Sequence, residues 1–156
     1  LCPIAFACKA REAGRQALLP VNVKKMNKVT EQYVTVVIRR GEDYLLYKPE
    51  QGLLAGLYGM VQIQAEDPED FEQRFFDAYG LGVRLKAYIG EVKHVFTHKT
   101  WQMHVYEGEI TGQDEEIKDN AALSALTLCS EEELALLPVS TAHAKVLSAY
   151  LKYRRV

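Results

Sequence analysis

The chain runs to 156 residues, 48% hydrophobic and 26% charged, with a net charge of -2. That is one domain's length and an ordinary globular composition, which excludes disorder over most of the chain, a coiled coil and a collagen-like fibre. No window approaches ~18 uninterrupted apolar residues and Leu1–Ala7 lacks the basic start of a signal peptide, so neither a membrane span nor a membrane partner is expected.

The chain opens on Leu1 rather than Met, as a piece cut from the front of a longer chain would. Cys2-Pro3-Ile4-Ala5-Phe6-Ala7-Cys8 is a C-x5-C spacing. Two thiolates so spaced can share a metal or a cluster, but such a site takes about four ligands, and no CxxC or neighbouring His completes it. A disulfide and two free thiols stay open as alternatives. From Lys9 to Arg40 eight basic residues face only Glu12 and Glu31, a local charge of +6 on a body of about -8. A basic front fits an anionic partner, and equally a solvated linker. A short helix is predicted over Ala10–Leu18, then a linker ending near Glu31.

The β-branched and aromatic run Tyr33–Ile38 reads as a strand, Gly41-Glu42-Asp43 as a turn and Tyr44–Tyr47 as the second strand of a hairpin. After the loop 48–58, Gly59–Ile63 reads as a short strand. Asp67 caps and Pro68 opens a helix. Phe71, Phe75, Phe76 and Tyr79 are expected on its buried face, and Gly80 and Gly82 end it. Arg84–His94 and Trp101–Ile110 form two long strands joined by 95–100, with Trp101 in the core and His94 and His104 structural. Gly112–Asn120 is an acidic loop. Leu123–Cys129 is a strand with Cys129 as a core thiol, Ser130–Glu133 caps a short helix, and Ser140–Tyr153 is a final amphipathic helix. This order makes an α+β layer arrangement rather than regular βαβ winding.

Cys2–Cys8, with the basic connector carrying Leu19-Pro20-Val21 and Lys24-Lys25, resembles the end of the iron–sulfur loop of MutY-type adenine DNA glycosylases, whose cluster spacing is C-x6-C-x2-C-x5-C. Lys48-Pro49-Glu50-Gln51-Gly52-Leu53-Leu54-Ala55-Gly56-Leu57-Tyr58 is similar to that family's K-R-P-x-x-G-L-L-A-G-L-W segment. His94-Val95-Phe96-Thr97-His98 stands where the family has an F-S-H loop, and Pro138-Val139-Ser140-x-x-His143 resembles the start of its last helix. Four ordered matches over nearly the whole chain are far more specific than one. The resemblance implies three parts: 1–8, the end of the cluster loop of a missing catalytic domain; 9–32, an interdomain connector; and 33–156, a Nudix-like (MutT-related) recognition domain with a mixed β-sheet flanked by helices. It implies that Cys2 and Cys8 are two of four ligands of a 4Fe-4S cluster in the full-length parent, the others lying upstream of Leu1 and the cluster being absent from this piece. The parent would remove adenine mispaired with 8-oxoguanine in double-stranded DNA. This piece holds none of the catalytic carboxylates and is expected to be inactive alone. The expectation is completed by a monomer, cytoplasmic and nucleoid-associated if bacterial, with repair-protein contacts through the connector.

The Nudix likeness brings an enzymatic rival, a free-standing nucleotide pyrophosphohydrolase. Its box is G-x5-E-x7-R-E-U-x-E-E-x-G-U, with U aliphatic, and its glutamates hold a divalent metal. Anchored on Gly80, the box places its first glycine on Gly59 and apolar positions on Phe75 and Leu81. The first glutamate position is then Ala65, the R-E pair is Gln73-Arg74 and the E-E pair is Asp77-Ala78. One carboxylate remains where several are needed, so neither a divalent metal nor hydrolysis is expected. A protein-docking module built on the connector is a third option.

The 95–100 tip holds an aromatic, a hydroxyl, an imidazole and an ammonium, groups that wedge, hydrogen-bond and neutralise at nucleic acid. The plainer alternative is that Phe96 packs inward and His98 is merely solvated. By the resemblance, Thr97 takes the serine's place and would hydrogen-bond the lesion base, and Phe96 would insert or pack beside the base step. His98 would support the loop or touch backbone, while Lys93 and Lys99 would meet phosphates. The glycines of 52–58 lack a GK[ST] phosphate cradle, and Leu53, Leu54 and Leu57 are expected to cover the sheet.

Overall fold

The computed structural model describes residues 3, 5–18, 27–112 and 124–156. Cys2, the connector residues 19–25, the acidic stretch 113–120 and Leu123 lie outside them. In place of one helix over Ala10–Leu18, the chain forms α1 (Lys9–Glu12) and a 3-10 turn, Gln16–Leu18. Gly14 separates them with a left-handed φ of 62°, a conformation glycine adopts without penalty.

Strand β1 (Val29–Arg40) starts four residues before the β-branched run because it finds a parallel partner. It pairs with β5 (Lys99–Thr111) from Val29 opposite Lys99 to Arg39 opposite Glu109. On its other side β1 meets two antiparallel strands, β2 (Asp43–Tyr47) around Ile38–Arg40 and β3 (Val61–Gln64) around Tyr33–Val36. With β4 (Gly82–Val95) on β5 and β6 (Leu126–Cys129) on β2, the order is β4-β5-β1-β2-β6. The sheet is mixed, as expected, and β1 is its centre.

Alternation along β1 sends its side chains to two cores. Val34, Val36 and Ile38 pack with Phe71 and Phe75 of α2 (Glu69–Tyr79), whereas Val37 packs with Met103, Val105 and Tyr44 under α3 (Glu131–Leu134) and α4 (Thr141–Arg154). Helices on both faces of the sheet therefore bury what one face alone would leave wet. Both C-terminal helices start as the sequence predicts: Ser130 and Glu133 form a reciprocal capping box, and the Ser140 hydroxyl accepts from the His143 amide. Cys129 is a buried thiol whose pKa is pushed up by burial and by Glu133 and Asp43.

Two further expectations fail. Phe76 is 53% exposed, because each residue turns the helix by about 100° and Phe76 falls one such step past Phe75, off the buried stripe. Leu53 and Leu57 are 56% and 37% exposed, and Leu54 is the one of the three leucines that packs on the core.

Candidate nucleic-acid interface

The β4–β5 hairpin zips further than its sequence suggests. β4 ends at Val95, paired with Thr100, and β5 starts at Lys99, which leaves the tip Phe96-Thr97-His98, closed at its base by the Phe96 amide donating to the Lys99 carbonyl at 2.8 Å. Thr97 and His98 are exposed at its end. Phe96 is half-buried. Its ring stands edge-on to Trp101 at 4.8 Å and to His94 at 4.5 Å. The ring supports the tip from beneath and does not project as a wedge.

The base of the tip is bound to residues that precede the Tyr33–Ile38 run. Lys28 Nζ donates to the Phe96 carbonyl at 2.9 Å. The Glu31 carboxylate accepts from Trp101 Nε1 at 2.9 Å, from the Tyr33 hydroxyl at 3.0 Å and from Lys99 Nζ at 3.2 Å. Partial burial pushes the Glu31 pKa upward, but the Lys99, Tyr33 and Trp101 donors outweigh it and hold the carboxyl below its ordinary value. Burial and the same carboxylate push the Tyr33 phenol up to about 12. Lys99 is therefore turned toward Glu31, whereas Lys93 is exposed on β4. Nothing local in the sequence marks Glu31 as this hub beyond its being an acid in a basic run. Sixty-eight residues separate it from Lys99.

Behind the tip lies a cleft of about 260 Å³ walled by Tyr33, Trp101, Leu53, Leu57, Gln62 and His143. His143 is 4% exposed. Its Nε2 lies 2.9 Å from Gln62 Oε1. A carbonyl oxygen accepts, so Nε2 carries the hydrogen and Nδ1 is a bare lone pair, without a partner among the described residues. Nδ1 abuts Gly59, where a Cβ would stand 1.7 Å away. Burial first, then the nearby His94, lower the His143 pKa to about 4 and keep the ring neutral. Burial and the Lys145 ammonium likewise lower that of His94.

On the far face, α2 carries the residues aligned with the hydrolase box. Gln73 Nε2 donates to Asp77 Oδ1 at 2.8 Å, and Arg74 Nη1 donates to the Gln64 carbonyl at 3.2 Å. An amide, a guanidinium and one carboxylate do not fit a divalent cation, which takes several anionic oxygens. At the chain's start Cys8 is half-buried at the head of α1. Cys2, its C-x5-C partner in the sequence, lies outside the described residues.

Residues 33–149 match the NUDIX domain family model. No curated protein matches the chain. The C-terminal domain of mouse MUTYH, solved in complex with human PCNA, is 24% identical over 80% of this chain and 90% of that one, with a TM-score of 0.60. The MutT protein from Methanosarcina mazei Go1 is 17% identical over 83% of this chain and 96% of its own, with a TM-score of 0.62. The NUDIX domain of Shewanella oneidensis NrtR, complexed with ADP ribose, is 12% identical over 87% and 96%, with a TM-score of 0.57. Such identities bear on the fold alone.

Proposed function

The chain belongs to the NUDIX domain family, and from that premise we propose that it is a recognition member rather than a hydrolase: the lesion-reading C-terminal part of a MutY-type adenine DNA glycosylase. What carries the proposal is a contrast within one fold. The helix that would hold a catalytic metal presents Gln73, Arg74 and Asp77, while the opposite hairpin presents an exposed hydroxyl and imidazole on a braced tip.

Oxidation of guanine to 8-oxoguanine turns N7 from an acceptor into an N–H donor and adds a carbonyl at C8. A hydroxyl both accepts and donates, so Thr97 can meet the oxidised edge in ways that plain guanine does not reciprocate. His98 stands beside it for the sugar or phosphate, and Lys93 adds a salt-sensitive phosphate contact. Phe96 acts from below, by holding the tip against Trp101. Lys99 contributes through Glu31 rather than at a phosphate. Adenine extrusion and glycosidic cleavage would fall to a catalytic part outside these residues. Cys2 and Cys8 would serve there as two of the four cluster ligands, with a structural role.

The test is Thr97→Ala, with binding read by fluorescence anisotropy on duplexes carrying adenine opposite 8-oxoguanine or guanine. The preference for the lesion should narrow by ~1–3 kcal/mol, the worth of one good base contact. An unchanged preference removes Thr97 from recognition. Absence of any preference in the unaltered chain refutes the proposal. A second function, contact with a repair protein, is favoured by the mouse MUTYH domain having been solved with human PCNA. Calorimetric titration of PCNA onto this chain tests it, and absence of binding heat removes it.

A further inference from the structure

The tip's polar anchors come from Lys28, just before β1, and from Glu31, near the strand's start. Lys28 holds the Phe96 carbonyl, and Glu31 holds Lys99 and Trp101, so both ends of the tip are tied to one short stretch of incoming chain. The parallel register continues the tie, with Val29 opposite Lys99 and Glu31 opposite Trp101. One residue further on, Gln32 donates to Gln102 at 3.2 Å and its Oε1 lies 3.2 Å from His104 Nε2. Trp101 passes the constraint on, because the Phe96 ring rests edge-on against it. Thr97 and His98 therefore hang between two residues whose positions are set from the connector side.

We propose that Lys28 and Glu31 are positioning residues for lesion recognition: they clamp the connector's end to the hairpin and fix the pose of Thr97 without touching DNA. The inference rests on the recognition role proposed above and adds what governs it. A single hydroxyl contact discriminates only if it is placed to within ~0.5 Å. Thr97 and His98 are exposed and their side chains make no hydrogen bond among the described residues, so their pose depends on what holds the residues flanking them. The clamp supplies the rigidity, and it also makes the tip answer to whatever pulls on residues 9–28. A preceding domain docked on the same duplex would thus set the pose of the lesion reader through Lys28 and Glu31.

The experiment uses Glu31→Gln and Lys28→Met in this chain. Glu31→Gln keeps the shape but removes the charge that holds Lys99 and one of the two acceptor oxygens. Lys28→Met removes the bond to the Phe96 carbonyl at an exposed site, and it decides the matter if the first variant does not fold. Trp101 is the chain's sole tryptophan, so its emission reports the Glu31 bond directly, before any DNA is added. The expected result is a shifted Trp101 emission in Glu31→Gln, with lesion preference reduced about tenfold there and about threefold in Lys28→Met, the loss of one charged and one neutral-acceptor hydrogen bond respectively. Binding to the guanine-containing duplex serves as the reference. If the emission shifts and both variants keep the full preference, the clamp is refuted while recognition by the hairpin stands. Equal weakening on both duplexes refutes it too, because that is a charge effect and not positioning. If the unaltered chain shows no preference, the recognition role and the clamp fall together.

Discussion

Acidification should destabilise this fold through one buried imidazole. The His143 pKa lies at about 4 in the folded chain against 6.5 for the free group. Its folded value is depressed, so the neutral ring's contribution is complete above about pH 6.5 and is lost as pH falls toward about 4. That separation is worth about 3 kcal/mol in the acid limit, and about 2 kcal/mol at about pH 5 once partial titration of both states is included. The cause is physical confinement: Nε2 is spent on Gln62, Nδ1 faces the Gly59 backbone, and a proton on Nδ1 would be buried without an acceptor. His94, lowered by burial and Lys145, titrates with the same sign, so the wild-type trend includes its share. Urea unfolding followed by Trp101 emission at about pH 7.5 and about pH 5, in wild type and His143→Gln, separates the two. His94 remains in both proteins, and carboxylates held low, such as Glu31, stay ionised at the more acidic condition. Wild type should lose about 2 kcal/mol more than the variant across that interval. Equal losses in the two proteins refute a confined neutral His143.

Three further outcomes follow from named contacts. Gly59→Ala drives a methyl into the His143 ring and should cost about 2 kcal/mol or more in urea unfolding, with part of the loss recovered in Gly59→Ala/His143→Ala. Ser130→Ala removes the acceptor for the Glu133 amide and should lower stability by about 1 kcal/mol, with lesion preference unchanged because α3 packs on β2 and β6, across the sheet from the β4–β5 hairpin. Lys93→Ala should weaken DNA binding alike on lesion and undamaged duplexes and reduce the salt slope by about 1; a selective loss on the lesion duplex would mean that Lys93 contacts the base and not a phosphate.

Much of the fold was legible because its determinants are local. Apolar, β-branched and aromatic runs mark β1, β2, β4 and β5, Gly80 ends α2 in a left-handed conformation with φ of 68°, and Ser130 with Glu133 announces the capping box. The failures are also local in origin: Phe76 sits at a spacing that only resembles the buried stripe, and Gly14 breaks a helix that composition would allow. The hairpin was legible as a tip rich in recognition chemistry. Which of its residues face outward was not. Phe96 faces Trp101 and Lys99 faces Glu31 because strands distant in sequence lie side by side, and no periodicity within residues 94–101 encodes that.

By itself the sequence determined the elements, their α+β order and the lack of glutamates at the aligned box positions, since each depends on residue identity at short spacing; the mixed sheet between helices was implied only by the resemblance. Tertiary structure alone decided that residues 29–32 belong to the sheet, that Glu31 joins the incoming chain to the hairpin, and that His143 is neutral against Gly59. Those outcomes depend on parallel pairing of β1 with β5 and on α4 closing over the sheet. The free energy that selects them comes from burying two apolar faces at once, a property of the assembled layers and of no single segment.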